Sequence, residues 1–89
     1  MSDPLSALRA AFVERCREDL GRLGEASPDD ASFASIAHRL AGAAGSFGFP
    51  ELSEAAAAVD HSLRKGEPPT AAQTEALMRR LGQAAGAAD

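Results

Sequence analysis

The sequence lacks several residue types, and each absence excludes a class of protein. It contains no Trp, no Tyr, one Cys and only five β-branched residues. Sheets are normally rich in β-branched and aromatic residues, so a β-rich fold is not expected. One Cys cannot form an internal disulfide, which excludes a disulfide-stapled secreted scaffold. No apolar run approaches the roughly 20 residues of a membrane span. The first four residues lack the basic and apolar regions of a signal peptide.

An excess of basic residues is also missing. Thirteen acidic residues against nine basic ones give a net charge of −4 and a pI near 5.0. Proteins that bind nucleic acids normally carry a basic excess, and they often stack bases on aromatic side chains. We therefore expect a soluble cytoplasmic protein with neither a nucleic acid nor a membrane as its partner.

Alanine dominates what is present. Hydrophobic residues make up 45% of the 89 residues, but 21 of them are Ala and only 19 are larger. Helices rich in Ala can approach one another closely, and a chain of this length forms a single domain. We expect one helical domain over residues 1–89.

Three clusters of helix-breaking residues divide the chain into four segments. They lie at residues 24–28, 47–50 and 65–69. Each segment is long enough for about four helical turns, and connections this short place consecutive helices side by side. The prediction is an all-α protein, an up-down-up-down antiparallel four-helix bundle.

Capping residues predict where the helices begin. Asp3 precedes Pro4 at the start of the first helix, and Ser27 precedes Pro28 at the start of the second. The third helix is expected to begin near Pro50. The fourth is expected at a capping box formed by the residue pair Thr70 and Gln73.

Each segment repeats its apolar residues at spacings of three and four, as an amphipathic helix does. The predicted core stripes are Leu5, Leu8, Phe12, Cys16, Leu20 and Leu23; Phe33, Ile36, Ala37, Leu40, Ala44 and Phe47; Leu52, Ala56, Val59 and Leu63; and Thr74, Leu77, Met78, Leu81 and Ala85. Cys16 is interpreted as a small core residue, because nothing near it in sequence would activate a thiolate.

His38 is the residue that a plain bundle does not explain. At about 100° per residue it points away from the core stripe of the second helix. The residues that share its face are all small, namely Ala31, Ala34, Ser35, Ala41, Gly42 and Gly45. This is either an idle surface histidine in an Ala-rich protein or a face cleared for another protein to reach the imidazole. Two glycines inside a helix cost about 1 kcal/mol each relative to Ala, which favours the second interpretation.

The chemistry open to His38 is limited by its surroundings. No acidic residue lies one turn away on its own helix, so an acid–base pair would need a side chain from another helix. His38, His61 and Cys16 show no recognised metal-ligand spacing. An exposed imidazole with one unprotonated nitrogen can act as a nucleophile and carry a covalent group.

The stretch from Ala37 to Leu52 resembles the signature of histidine-containing phosphotransfer (HPt) domains, roughly A-H-x-L-K-G-x-A-x-x-x-G-x-x-x-L. The matching residues are Ala37, His38, Leu40, Gly42, Ala44, Gly48 and Leu52. The motif covers about 16 residues, and the four-helix layout extends the resemblance over nearly the whole chain.

The resemblance implies a phosphorelay intermediate of bacterial two-component signalling that is not itself an enzyme. His38 would carry the phosphoryl group through Nε2, between receiver-domain aspartates or from a histidine kinase to a response regulator. Gly42 would leave room for that group, and Gly48 would turn the chain into the third helix. The residues expected at the docking surface are Arg39, Ala41, Gly45, Ala34 and Ser35, together with Gly42. The chain would need no cofactor or metal of its own, because the receiver supplies Mg²⁺, and it is expected to be a monomer without a nucleotide site.

One position departs from the family pattern. The family usually has Lys three residues after the histidine, where this chain has Ala41. Arg39 is the nearest basic residue in sequence; it either reaches across to compensate or is a solvated flanking charge. The missing Lys keeps open an alternative, a phosphate-independent helical adaptor that docks a receiver or kinase through the same face. A catalytic or metal-binding bundle is a third alternative.

Five further candidate residues are interpreted as parts of the surface or of the packing and not as parts of a functional site. His61 is interpreted as a surface histidine. Phe49 is expected to act as a hydrophobic staple against the third helix, with a place in a docking patch as the alternative. Glu51, Glu54 and Asp60 are expected to form a solvated acidic face.

Overall fold

The computed structural model of the protein describes residues 4–27 and 30–87, and this part of the chain is helical with no strand. Its elements are α1 (Pro4–Glu25), α2 (Ala31–Ala43), a 3₁₀ helix (Ala44–Phe47) that continues α2, α3 (Pro50–Arg64) and α4 (Ala71–Ala85). The predicted all-helical class and the four segments are confirmed.

The helix starts agree with the capping pattern at two places. Pro50 is the first residue of α3. Thr70 caps α4 in a complete capping box: the Gln73 backbone N–H donates to Thr70 Oγ1 over 3.1 Å, and the Thr70 N–H donates to Gln73 Oε1 over 3.0 Å. Such a cap stabilises a helix by about 1 kcal/mol, because it satisfies backbone donors that have no partner inside the helix.

The predicted start of α2 is wrong. Its N-cap is Asp30, whose Oδ1 accepts a hydrogen bond of 3.0 Å from the Ser32 N–H, and not Ser27. The carbonyl of Ser27 instead accepts from the Asp30 N–H over 2.9 Å, so this serine lies in a turn before the helix. Asp3, Pro28 and Asp29, which also entered the prediction, lie outside the described residues.

The core lies along most of the predicted stripes and also includes Val13, which the stripes did not contain. Contacts join α2 to α3, α3 to α4 and α4 to α1. The largest fully buried apolar side chains are Phe33, Leu40, Leu52, Leu77, Leu81, Val13 and Val59. The prediction fails at Leu5 and Leu8, which are 70% and 55% exposed. Both residues lie in the first two turns of α1, which at 22 residues is longer than the other helices of 13 to 15 residues.

An aromatic cluster joins α1 to the turn between α2 and α3. The ring of Phe12 stacks on Phe47 and Phe49 with centroid separations of 4.8 and 5.8 Å. Arg9 lies 4.8 Å above the Phe49 ring and donates from Nε to the Phe47 carbonyl over 3.2 Å. The staple predicted for Phe49 is wrong, because this residue is itself the N-cap of α3 and its ring packs on α1. Gly48 makes the turn possible with φ of 89°, a left-handed conformation that favours glycine.

Candidate functional site

His38 stands on the outer face of α2. Its neighbours Ile36, Ala37 and Leu40 are buried in the core and fix the orientation of the helix. The His38 side chain is 68% exposed as a result. A nucleophilic imidazole needs this access, because its partner must bring the reacting group to the ring nitrogen.

A carboxylate from α3 holds the inner nitrogen of this imidazole. His38 Nδ1 lies 3.3 Å from both Oδ1 and Oδ2 of Asp60, whose side chain is only 15% exposed. A carboxylate can only accept hydrogen bonds, so Nδ1 carries the proton and the lone pair is left on Nε2. Asp60 therefore favours the neutral tautomer in which Nε2 holds the lone pair.

The sequence prediction for Asp60 is wrong. This residue was expected on a solvated acidic face, but it is half-buried and bonded to His38. Its 22-residue separation from His38 leaves no local signal of the pairing. Glu51 and Glu54 are exposed as expected, and Glu51 forms an ion pair of 3.3 Å with Arg80.

Arg64 is also attached to Asp60. It lies one turn further along α3, with Nη1 3.8 Å from Asp60 Oδ2 and a side chain that is 70% exposed. Asp60 thus contacts both the imidazole of His38 and an exposed guanidinium. The sequence identified neither of these two contacts.

Small residues surround the imidazole on α2. Gly42 is exposed, and a Cβ built there would meet no atom within 4 Å. Gly45 and Ser35 are also exposed, while Ala34 and Ala41 are half-buried. Ser53 Oγ of α3 donates to the Ala41 carbonyl over 2.9 Å, which holds the two helices together beside this surface.

Arg39 has a partner that the sequence did not reveal. Its Nη2 lies 2.6 Å from Oδ2 of Asp19 on α1, a fully buried carboxylate. Asp19 Oδ1 has no hydrogen-bond partner and lies 3.7 Å from Nε of Arg15. A buried charge must be paired, so Arg39 ties α2 to α1. The sequence left two interpretations of Arg39 open, compensation for the missing Lys and a solvated flanking charge. The second disagrees with the structure, because the Arg39 side chain is only 33% exposed.

The other candidate side chains do not join the site. Cys16 is buried, as predicted; burial above all, together with the charge of Asp19, raises the pKa of its thiol to about 11, although Arg39 opposes this. His61 is exposed. Among the described residues, no three His, Cys, Asp or Glu side chains lie close enough to hold a metal ion. A pocket of about 440 Å³ opens beside Pro50 and Arg80, and its lining does not include His38.

Over residues 4–27 and 30–87 no helix has both the length and the apolar character needed to cross a membrane.

Comparison with known proteins agrees with the arrangement around His38. Searches of curated proteins and of solved structures find no significant match. The family model described as Hpt domain matches residues 7–88, nearly the whole chain. Hpt domains are phosphocarrier modules of two-component phosphorelays that interact with receiver domains and histidine kinases. The chain is a member of the Hpt domain family.

Proposed function

We propose that this protein is a phosphorelay intermediate that carries a phosphoryl group on Nε2 of His38. The group would come from the aspartyl phosphate of one receiver domain, or from a histidine kinase, and pass to another receiver. The observation that carries the proposal is the state of the imidazole: it is exposed, small residues surround it, and Asp60 holds Nδ1. A buried histidine would lack this access, and a metal-bound histidine would have no free lone pair on its outer nitrogen.

The transfer uses few groups of this chain. The Nε2 lone pair attacks phosphorus, the bond from phosphorus to the aspartate oxygen breaks, and the aspartate carboxylate leaves with the electron pair. The imidazole ring gains positive charge in this step while its Nδ1 proton stays on the bond to Asp60. The negative charge of Asp60 stabilises that ring, as the carboxylate of a catalytic triad stabilises an imidazolium. Mg²⁺ held by the receiver would neutralise the phosphoryl oxygens, since phosphoryl transfer depends on positioning and charge stabilisation.

The proposed docking surface follows from the same face. Gly42 and Gly45 leave room for the partner's backbone, and Ser35 and Ala34 continue the surface toward the start of α2. We expect Arg39 and Ala41 at its border. The chain would dock there as a cytoplasmic monomer without a nucleotide site of its own.

An up-down-up-down arrangement of the helices would present this face to a partner. Cross-helix contacts support this arrangement: in each pair of consecutive helices, the residue number rises along one helix as the number of its contact falls along the other, as in antiparallel helices. The pairs are Asp19–Arg39 and Arg9–Phe47 for α1 and the α2 region, His38–Asp60 and Ala41–Ser53 for α2 and α3, and Ser62–Gln73 and Glu51–Arg80 for α3 and α4.

The direct test follows phosphate. A receiver domain loaded with radiolabelled phosphate is mixed with the protein, and acid-labile label on the protein is measured. We expect label on the wild type and on His61→Gln, a matched control at a second exposed histidine, and none on His38→Gln. Transfer that survives His38→Gln and is lost in His61→Gln would overturn the assignment.

A phosphate-independent adaptor is the second candidate, and Ala41 favours it because that position supplies no cation for a phosphoryl group. An adaptor would bind its receiver or kinase equally well as the wild type and as His38→Gln. Gly42→Gln would abolish that binding, because a long side chain would fill the cleared surface. Calorimetric titration with the receiver measures binding by both variants, and the signalling output of His38→Gln distinguishes the functions: an adaptor keeps this output, whereas a phosphoryl carrier loses it.

A further inference from the structure

Position 41 lacks the Lys that the family pattern places beside the histidine, so the cation for the phosphoryl group must come from elsewhere in this chain or from the partner. The described cations differ in how they are held. Arg39 is bound to buried Asp19 at 2.6 Å, and Lys65 pairs with Glu67 at 3.4 Å. Arg64 is the cation that contacts Asp60, the hydrogen-bond partner of His38.

The register of α2 against α3 brings Arg64 to the imidazole side of the site. His38 lies opposite Asp60, and the Ala41 carbonyl lies opposite Ser53. Residues after Asp60 are therefore opposite the turn of α2 that precedes His38. A helical side chain leans toward the N-terminus of its helix, so the His38 ring leans toward that same level.

The path of Arg64 to the ring is open. Ala34, one turn before His38, has no side chain beyond Cβ to block it. The Arg64 side chain is 70% exposed, and its contact with the half-buried Asp60 is a long i,i+4 pair of 3.8 Å, a kind of pair worth about 0.5 kcal/mol on a helix surface. A phosphoryl group carries nearly two negative charges and accepts charge-assisted hydrogen bonds, so it competes well for such an arginine.

We propose that Arg64 binds the phosphoryl oxygens on His38 and takes the role that Lys has at position 41 in the family pattern. This inference rests on the proposed function. Arg64 would approach from the N-terminal side of the ring, whereas the family Lys approaches from the C-terminal side. The Arg64 guanidinium forms no covalent bond; it exchanges the Asp60 carboxylate for the phosphoryl oxygens as the bond from Nε2 to phosphorus forms.

The test compares four variants in the transfer assay with a phosphorylated receiver. Arg64→Gln should slow transfer about fivefold to tenfold, the effect of one lost charge-assisted contact at an exposed site. Lys65→Gln removes the same charge one residue away and should transfer at the wild-type rate. Arg64→Lys should keep most of the rate, and Ala41→Lys added to Arg64→Gln should restore it.

A spectroscopic measurement separates phosphoryl binding from a structural effect. The proteins are phosphorylated with phosphoramidate and titrated by ³¹P NMR. A neighbouring guanidinium lowers the pKa of the phosphoryl group, so Arg64→Gln should raise that pKa and Lys65→Gln should leave it unchanged. If Arg64→Gln transfers phosphate at the wild-type rate, or if Lys65→Gln slows transfer equally, the role of Arg64 is overturned and the proposed function still stands. A wild type that takes no phosphate on His38 would overturn the proposed function and this role together.

Discussion

Asp60→Asn is the substitution that tests the site most sharply. It keeps the size of the side chain, and the amide oxygen can still accept the Nδ1–H bond, but the negative charge is removed. If Asp60 only selects the tautomer, the variant transfers phosphate normally. If the charge also stabilises the imidazole as phosphorus adds to Nε2, the variant is slow.

The expected size follows from the geometry of the pair. Charges 3.3 Å apart interact by about 1.3 kcal/mol in bulk water and by about 2.5 kcal/mol at an effective dielectric constant of about 40. That constant lies between the values for bulk water and for pairs near a protein surface, because the carboxylate is half-buried and the ring is exposed. Losing that much transition-state stabilisation slows transfer by about tenfold to seventyfold. The His38–Asp60 distance exceeds that of a short charge-assisted bond, which places the effect at the lower end of this range.

The assay is a single-turnover measurement with a radiolabelled receiver, quenched over milliseconds to minutes. Glu54→Gln is the matched control, since it removes an exposed carboxylate from the same helix. Circular dichroism checks that both variants remain helical. Equal rates for Asp60→Asn and wild type, or equal slowing by Glu54→Gln, would refute the idea that the Asp60 charge acts on the imidazole.

Three further predictions concern stability and are measured by urea denaturation. Arg39→Met leaves the buried charge of Asp19 with only the half-exposed Arg15, 3.7 Å away, and should lower the free energy of unfolding by about 2 to 3 kcal/mol. An unchanged urea midpoint would contradict the pairing of Arg39 with Asp19. The pKa of the Cys16 thiol is raised from 9.0 to about 11, so above pH 9 the unfolded chain loses a proton that the native chain keeps. The free energy of unfolding should therefore fall by roughly 2 kcal/mol between pH 9 and 11. Cys16→Ala should not show this fall. Gly48→Ala should destabilise the protein by about 1 kcal/mol because of the positive φ of Gly48, and a variant as stable as the wild type would contradict the need for glycine at this turn. Gly42→Ala should stabilise it by up to about 1 kcal/mol, and a less stable variant would contradict the open space beside this position.

Much of the fold could be predicted because helices are specified locally. The spacing of Leu77 and Leu81 and the capping box at Thr70 are properties of neighbouring residues, and both agree with the structure. The errors arise where distant residues decide. Leu5 and Leu8 continue the apolar period of α1 but remain exposed in the folded protein, and Phe49 packs on a helix that is far away in sequence.

The sequence by itself determined which residue we propose as the phosphoryl carrier. The periodicity of α2 places His38 opposite the core stripe, and the small residues at spacings of three and four clear its surroundings. Only the tertiary structure decided what supports it: Asp60 holds the inner nitrogen, Arg64 is attached to that carboxylate, and Asp19 binds Arg39. The physical reason is that exposure of a helix face follows from a local period of 3.6 residues, whereas ion pairs between helices depend on how those helices are registered against one another.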